Sequence, residues 1–501
     1  MQSLKEVIYL LRQHNINPFE HLRDGDGRGG TSKLLALFEG VRDGQINSDS
    51  EAERKLYGSQ MGGNAYRKLK SDIKGHLIDA ILDINTFKSD FSDYQRAYYD
   101  CHKKWLVVRI LAGMNANISA MELAEKLLNK ATKFDFTFLS MDIASFLRIQ
   151  YGLRESNSIK YKEMSDLFLQ FRALYDAECL AEQLYTELIV TYVNRRGIND
   201  EIHAKAVQAY ETIKPLMKKS QSYKLQMYGY LVGLIQYTSI RDYNSAITFC
   251  DEAIDFFKSR PYEARTPLQI FHYQNLMGNI QLGQFYAGQV SAHECLRFLQ
   301  EGTFNWFKYQ ELFLSLCFHS QEYEQADATL HRIITHTRFQ FLPDNAKEIW
   351  AIYESYLYFL HSLGLVDSKV ANRFKLDRFE RRTTIFSRDK GGLNVAIIII
   401  RILILLSERK YRRFIDEVDA INQYCYRHLK GDQTKRSYYF IKMLLAIPFA
   451  QFDPKQIESK VKLLRQKMEL HPFNVENQNN EVEIIPFERL WEMLMAKLKT
   501  S

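Results

Sequence analysis

The sequence predicts an all-α protein in which helical hairpins recur and stack into a superhelical solenoid, preceded by an N-terminal helical module. Three observations carry that reading. Only nine prolines and 23 glycines punctuate 501 residues, and both residue types are costly inside helices. Helical periodicity runs from residue 97 to the end, and no segment longer than a few residues alternates with the period of two that strands need. Paired helices also come back at a nearly constant interval, the signature of a repeat architecture. The composition, 46% hydrophobic and 25% charged, is that of a fully folded chain.

Residues 1–97 form the expected N-terminal module. Glycine concentrates there ("DGDGRGG", "EGVRDG", "YGSQMGG"), helices are shorter, and "AYRKLKSDIKGHLIDAIL" (65–82) reads as a lone helix carrying Arg67, Lys68, Lys70 and Lys74. The repeat array is assigned to residues 98–501. Its first pair, "WLVVRILAGMNANISAMELAEKLL", contains Ser119 followed three residues on by Glu122, a capping-box pattern. "FLSMDIASFLRIQY…YKEMSDLFLQFRALY" and "LYTELIVTYVNRRGINDEIHAKAVQAYETIKPL" read as two more pairs.

The clearest hairpin is "YGYLVGLIQYTSIRDYNSAITFCDEAIDFFKSRP" (228–261). Its first helix places Tyr230, Leu234 and Tyr237 on one face, a turn follows at "IRDY", and its second helix sets Ala246, Cys250 and Ala253 inward. Similar anchors follow at Ala287, Ala326, Ala371, Phe414 and Ile457, at intervals of 41, 39, 45, 43 and 43 residues. Together these give roughly nine hairpins, against the three or so a solenoid needs. Asp453 and Pro454 supply an N-cap and first helical residue for the last of them, and "PFERLWEMLMAKLK" (486–499) is expected to be a capping helix.

The 228–261 unit resembles a tetratricopeptide repeat at its aromatic, small and proline positions. The tryptophan-type position is Tyr230, and the usual glycine is displaced to Gly233. The interval exceeds the ~34 residues of that repeat, so the likeness is to its architecture rather than its strict consensus. "IFSRDKGGLNVAIIIIRILILL", "RSYYFIKMLLAIP" and "EVEIIPFERLWEML" also resemble a group of large, uncharacterised bacterial helical-repeat proteins. That likeness implies no catalytic residues.

The chemistry-bearing stretches give no catalytic, cofactor or metal site. "DGDGRGGTSK" (24–33) has its lysine after Thr31 and Ser32, the reverse of a P-loop, and Arg28 and Leu35 stand where a calcium loop starting at Asp24 needs ligands. It reads as a glycine-rich turn capped by Thr31 or Ser32 into the helix "KLLALFEGV". "HEC" (293–295), "CFH" (317–319) and "HRIITH" (331–336) are expected on helices. His331 and His336, five residues apart, do not share the face that paired ligands need. The six cysteines show no CxxC spacing, and read as free thiols of a cytoplasmic protein. The N-terminus lacks the pattern of a signal peptide.

"LNVAIIIIRILILL" (393–406) is too short for a membrane span. Apolar at nearly every position, it is expected to be a buried helix whose Arg401 reaches solvent or an acid. The net charge of +7 is uneven. Residues 371–470 hold 22 basic and 11 acidic residues, +11, and the remainder is −4. Arg381, Arg382, Arg388, Lys390, Arg412 and Arg413 are therefore the candidate partner-binding residues. The expected function is a non-enzymatic, intracellular protein–protein interaction scaffold that recognises a protein or peptide, with no cofactor and no membrane. The alternative is a nucleic-acid-associated regulator that uses the basic 373–413 region or the helix at 65–82.

Overall fold

The computed structural model describes the chain except residues 20–28, 59–62, 86–90, 195–199, 385–391, 430, 432–433, 476–481 and 500–501. At a few helix-end positions, among them Thr31, Ser32 and Arg382, it describes the backbone alone. The described residues form α-helices and short 3-10 turns without a strand, and successive helices pack on one another. Two compact units divide the chain, residues 1–175 and 176–501.

In the first unit, α1 (Gln2–Gln13), α2 (Gly29–Arg42), α3 (Asp49–Tyr57) and α4 (Gly63–Ile81) bury Leu4, Leu11, Phe19, Leu37 and Ile73 in one core. The 65–82 helix is therefore not isolated. Its Tyr66 hydroxyl and Lys70 ammonium each lie 2.6 Å from Asp49 of α3. A second core, around Cys101, Val108, Ala124 and Leu147, joins α5 (Asp93–Gly113), α6 (Asn117–Lys133), α7 (Thr137–Leu153) and α8 (Ser158–Asn194). The reciprocal cap lies at α5, where Ser92 and Gln95 bond each other's backbone N–H groups at 3.2 and 3.0 Å. The Ser119 box does not form, because α6 already starts at Asn117 and has no side-chain cap. Likewise α2 begins at Gly29, which puts Thr31 and Ser32 inside its first turn rather than at its cap.

The second unit continues with α9 (Asp200–Lys219), α10 (Tyr223–Thr238), α11 (Tyr243–Lys258), α12 (Arg265–Leu282), α13 (Phe285–Arg297), α14 (Phe304–His319), α15 (Tyr323–Ile334) and α16 (Asp344–Ser362). It ends with α17 (Leu376–Thr384), α18 (Gly392–Ser407), α19 (Tyr411–His428), α20 (Lys435–Ala446), α21 (Pro454–Glu469) and α22 (Phe487–Lys499). Here the repeat has a backbone signature. Arg241, Gly283, Gln321, Gly364, Arg409 and Gln451 adopt φ of 53–74°, at intervals of 42, 38, 43, 45 and 42 residues. After each, an amide reaches back five residues: Asp242 to Tyr237, Gln284 to Asn279, Glu322 to Cys317, Leu365 to Leu360, Lys410 to Leu405 and Phe452 to Ile447, at 2.8–3.3 Å. The left-handed residue itself bonds three residues back. These are Schellman corners, which stop one helix and aim the chain into the next.

The anchors fit this frame unevenly. Ala246, Ala326, Phe414 and Ile457 are buried on α11, α15, α19 and α21 as expected. Ala287 is exposed, and its neighbour Gly288 faces inward instead. A Cβ there would stand 2.7 Å from both Leu316 methyls, so close helix approach selects glycine. Ala371 is buried, but in a 3-10 turn, Ala371–Arg373. Asp327 of α15 accepts the Ser368 hydroxyl and the amides of Lys369 and Val370, the last two at 3.2 and 3.3 Å, and these bonds hold the segment out of regular helix. Between the second and third predicted pairs no turn occurs, and α8 runs unbroken for 37 residues. "LNVAIIIIRILILL" forms α18, with Val395, Ala396, Ile399, Ile400 and Ile402–Leu406 buried, and α19 follows at Tyr411.

After α21 the chain turns back along the corners. The Phe473 carbonyl and Val475 amide bond the Gln281 side chain at 2.9 and 3.0 Å, and Asn474 accepts from Tyr243 at 3.3 Å. The Glu483 carbonyl accepts from His319 Nε2 at 2.9 Å, and Lys497 donates to the Ser362 carbonyl at 3.3 Å. Val482, Ile484, Ile485, Phe487, Leu490, Trp491 and Leu494 are buried by this return.

Candidate functional site

Part of the basic stretch is neutralised within the protein. Arg401, on the otherwise apolar α18, meets Glu417 of α19 at 2.6 Å and Glu380 of α17 at 2.9 Å. Arg413 meets Glu380 at 2.5 Å, with Glu417 and Asp377 each 3.9 Å away. Burial raises the Glu417 carboxyl, and the two arginines oppose that rise. This network explains how α18 carries a cation: the charge sits at the edge, bracketed by acids from both neighbouring helices. Among the sequence candidates, Arg413 is thus held within the protein. Arg381 is exposed and donates its Nε to the Asp377 carbonyl at 3.1 Å. Arg412 is exposed. The Arg382 side chain, Arg388 and Lys390 lie outside the described residues.

A second surface had no counterpart in the sequence reading. On α5, Ala97, Cys101 and Val108 face the core. At about 100° per residue, Tyr99, Leu106, Ile110 and Met114 fall on the opposite side. They are 38%, 52%, 51% and 76% exposed. From Tyr99 to the C-cap residue Met114 the outward apolar row is therefore about 22 Å long. Lys103, which donates to the Ile84 carbonyl at 3.1 Å, lies within it, and the exposed Arg109 flanks it. The signal was present as apolar residues on both faces of "YYDCHKKWLVVRILAGM", a pattern that reads equally as deep burial.

Also unforeseen is the lock on the returning segment. Arg436, on α20 and 4% exposed, uses every guanidinium donor position. Its Nε and one terminal nitrogen bond Glu483 at 2.8 Å each. The two terminal nitrogens bond Glu488 at 2.6 and 2.9 Å, and one also donates to the His471 carbonyl at 3.3 Å. Burial works against this cation, but the two carboxylates outweigh it and keep Arg436 charged. With no donor left over, Arg436 fastens the chain and recruits nothing further. A cavity of about 360 Å³ beside it is lined by Gly283, His319, Glu469 and Pro486 among others.

Among the described residues no group of His, Cys, Asp or Glu is arranged to hold a metal ion, and no helix is long and apolar enough to cross a membrane. His293 and Cys295 lie on α13, Cys317 and His319 on α14, and His331 on α15, whereas His336 falls beyond the end of α15. Residues 24–28 lie outside the described residues. The Lys33 ammonium sits 3.9 Å from the Tyr57 ring centre, a cation–π contact. No family model, curated protein or solved structure matches this chain.

Proposed function

We propose that the chain is a non-enzymatic protein–protein interaction scaffold built on a tetratricopeptide-like solenoid and working in the cytoplasm. The corner repeat supports the solenoid reading, since hairpins turned by the same kind of corner every 38–45 residues suit an extended stack. The buried free thiols Cys101, Cys250, Cys295, Cys317 and Cys425 suit a reducing compartment.

The observation that carries the function is the outward row on α5. Its spacing of 7, 4 and 4 residues, from Tyr99 through Leu106 and Ile110 to Met114, sets these residues along one helix face. The occupant that fits is an amphipathic helix of another protein, about four turns long, with apolar i, i+4, i+7 anchors. The Arg109 charge selects acidic residues along that helix's flank. Affinity capture from the native cell tests this. A partner retained by the wild type and lost with Leu106→Asp/Ile110→Asp supports the reading. A partner profile identical in both contradicts it. A preference for random duplex or RNA with a steep salt dependence would favour the nucleic-acid alternative.

A further inference from the structure

Once Arg401 and Arg413 are neutralised by Glu380 and Glu417, the basic stretch retains a local positive site around a small cavity. The cavity, about 120 Å³, lies between α15, α16, the Ala371–Arg373 turn and α17, and His331, Arg373, Lys375 and Arg378 line it. The three cations have no ion pair or side-chain hydrogen bond among the described residues. Glu354, the acid in the lining, has an interaction of its own. The cavity also contacts Val370 and Phe379, which are 5% and 3% exposed, so charges at its rim face a partly apolar wall where their attraction for an anion is less screened. With three cations against one acid, the lining carries an excess of positive charge.

We propose that this pocket receives a single phosphate monoester carried by a phosphorylated segment of a partner protein, a proposal that rests on the scaffold reading. Size and distribution of charge point this way. The cavity is well below the ~300–1,000 Å³ of sites for whole drug-sized ligands, and it suits one compact oxyanion. Arginine clusters bind such groups through charge-assisted, often bidentate hydrogen bonds. A nucleic-acid backbone would instead engage many free cations, and among the described residues Arg401 and Arg413 are already paired.

The test is fluorescence anisotropy of the full chain with a labelled peptide containing one phosphoserine, its serine twin and a labelled random duplex. The phosphopeptide is expected to bind at least about tenfold tighter than its twin, in keeping with a charge-assisted contact, and to be displaced by inorganic phosphate. Arg378→Glu and Lys375→Glu, both at exposed positions, each abolish that preference, while Arg412→Ala, outside the cavity, preserves it. Equal binding of the two peptides overturns the proposal, as does binding indifferent to both substitutions. Tighter duplex binding, weakened as much by Arg412→Ala as by Arg378→Glu, overturns it in favour of a nucleic-acid surface. Leu106→Asp/Ile110→Asp leaves phosphopeptide binding intact, so failure here and failure of the α5 reading are separable.

Discussion

The apolar surface along the corners of α10–α18 and the apolar row on α5 come from the same kind of hairpin, yet they end differently. In the second unit, residues 473–475 and 482–497 lie along the corners, and Arg436 locks Glu483 and Glu488. In the first unit, Leu106 and Ile110 remain about half exposed. A stack of hairpins generates apolar edges wherever it goes. Here one edge is covered by the segment that follows α21, and the α5 row stays exposed.

The strongest way to break this contrast is to cut the lock. Arg436→Ala leaves Glu483, itself 2% exposed, as an uncompensated buried charge, so we expect a loss of about 3–5 kcal/mol in denaturant unfolding. An effect near zero would mean that the returning segment is only loosely held. Leucine truncation sharpens the comparison directly. Leu405→Ala, in the 0%-exposed layer of α18, should cost about 2–5 kcal/mol through transfer and cavity terms. Leu106→Ala on the open row should stay within about 0.5 kcal/mol.

Acid should loosen the covered side. Burial holds His319 neutral, lowering its pKa from 6.5 to about 4, and burial pushes His272 the same way. Between those values the unfolded chain binds the extra proton. Stability is therefore fully present above pH 6.5 and declines as pH falls toward 4, by roughly 3 kcal/mol for His319 at about 1.4 kcal/mol per unit. Urea midpoints across that range should fall in the wild type and flatten in His319→Gln. The smallest expected effect is a gain. Arg241 and Arg409 hold φ of 61° and 60°, a region that costs a side chain about 1–2 kcal/mol. Glycine at either corner should stabilise by about 0.5–1 kcal/mol after its own chain entropy is deducted.

Much of this architecture was legible because helix periodicity and buried small residues are local signals. Ala246, Ala326, Phe414 and Ile457 were found that way, and so was the helix containing Leu405. The Ala287 anchor missed by one residue because only the packing of Gly288 on Leu316 fixes the rotation of α13. The corners at Arg241, Gln321, Arg409 and Gln451 carry none of the glycine or asparagine that usually marks a left-handed residue. There the geometry is imposed by the flanking helices. The lock was illegible for another reason. Arg436 and Glu483 are 47 residues apart, and nothing local in "TKRSYYF" or "EVEIIPF" announces that they meet. The basic stretch was visible as composition, but which cations are free depends on where Glu380 and Glu417 fall in space.

Photo-crosslinking in the native cell, with a benzophenone side chain at Ile110 or at Leu463, tests the central contrast most directly. Leu463 is 61% exposed on α21 and lies off the α5 row. We predict a discrete adduct of defined mass from position 110 and none from position 463. No adduct at 110, or the same set of adducts at both positions, would contradict the claim that α5 is the open edge to which a partner binds.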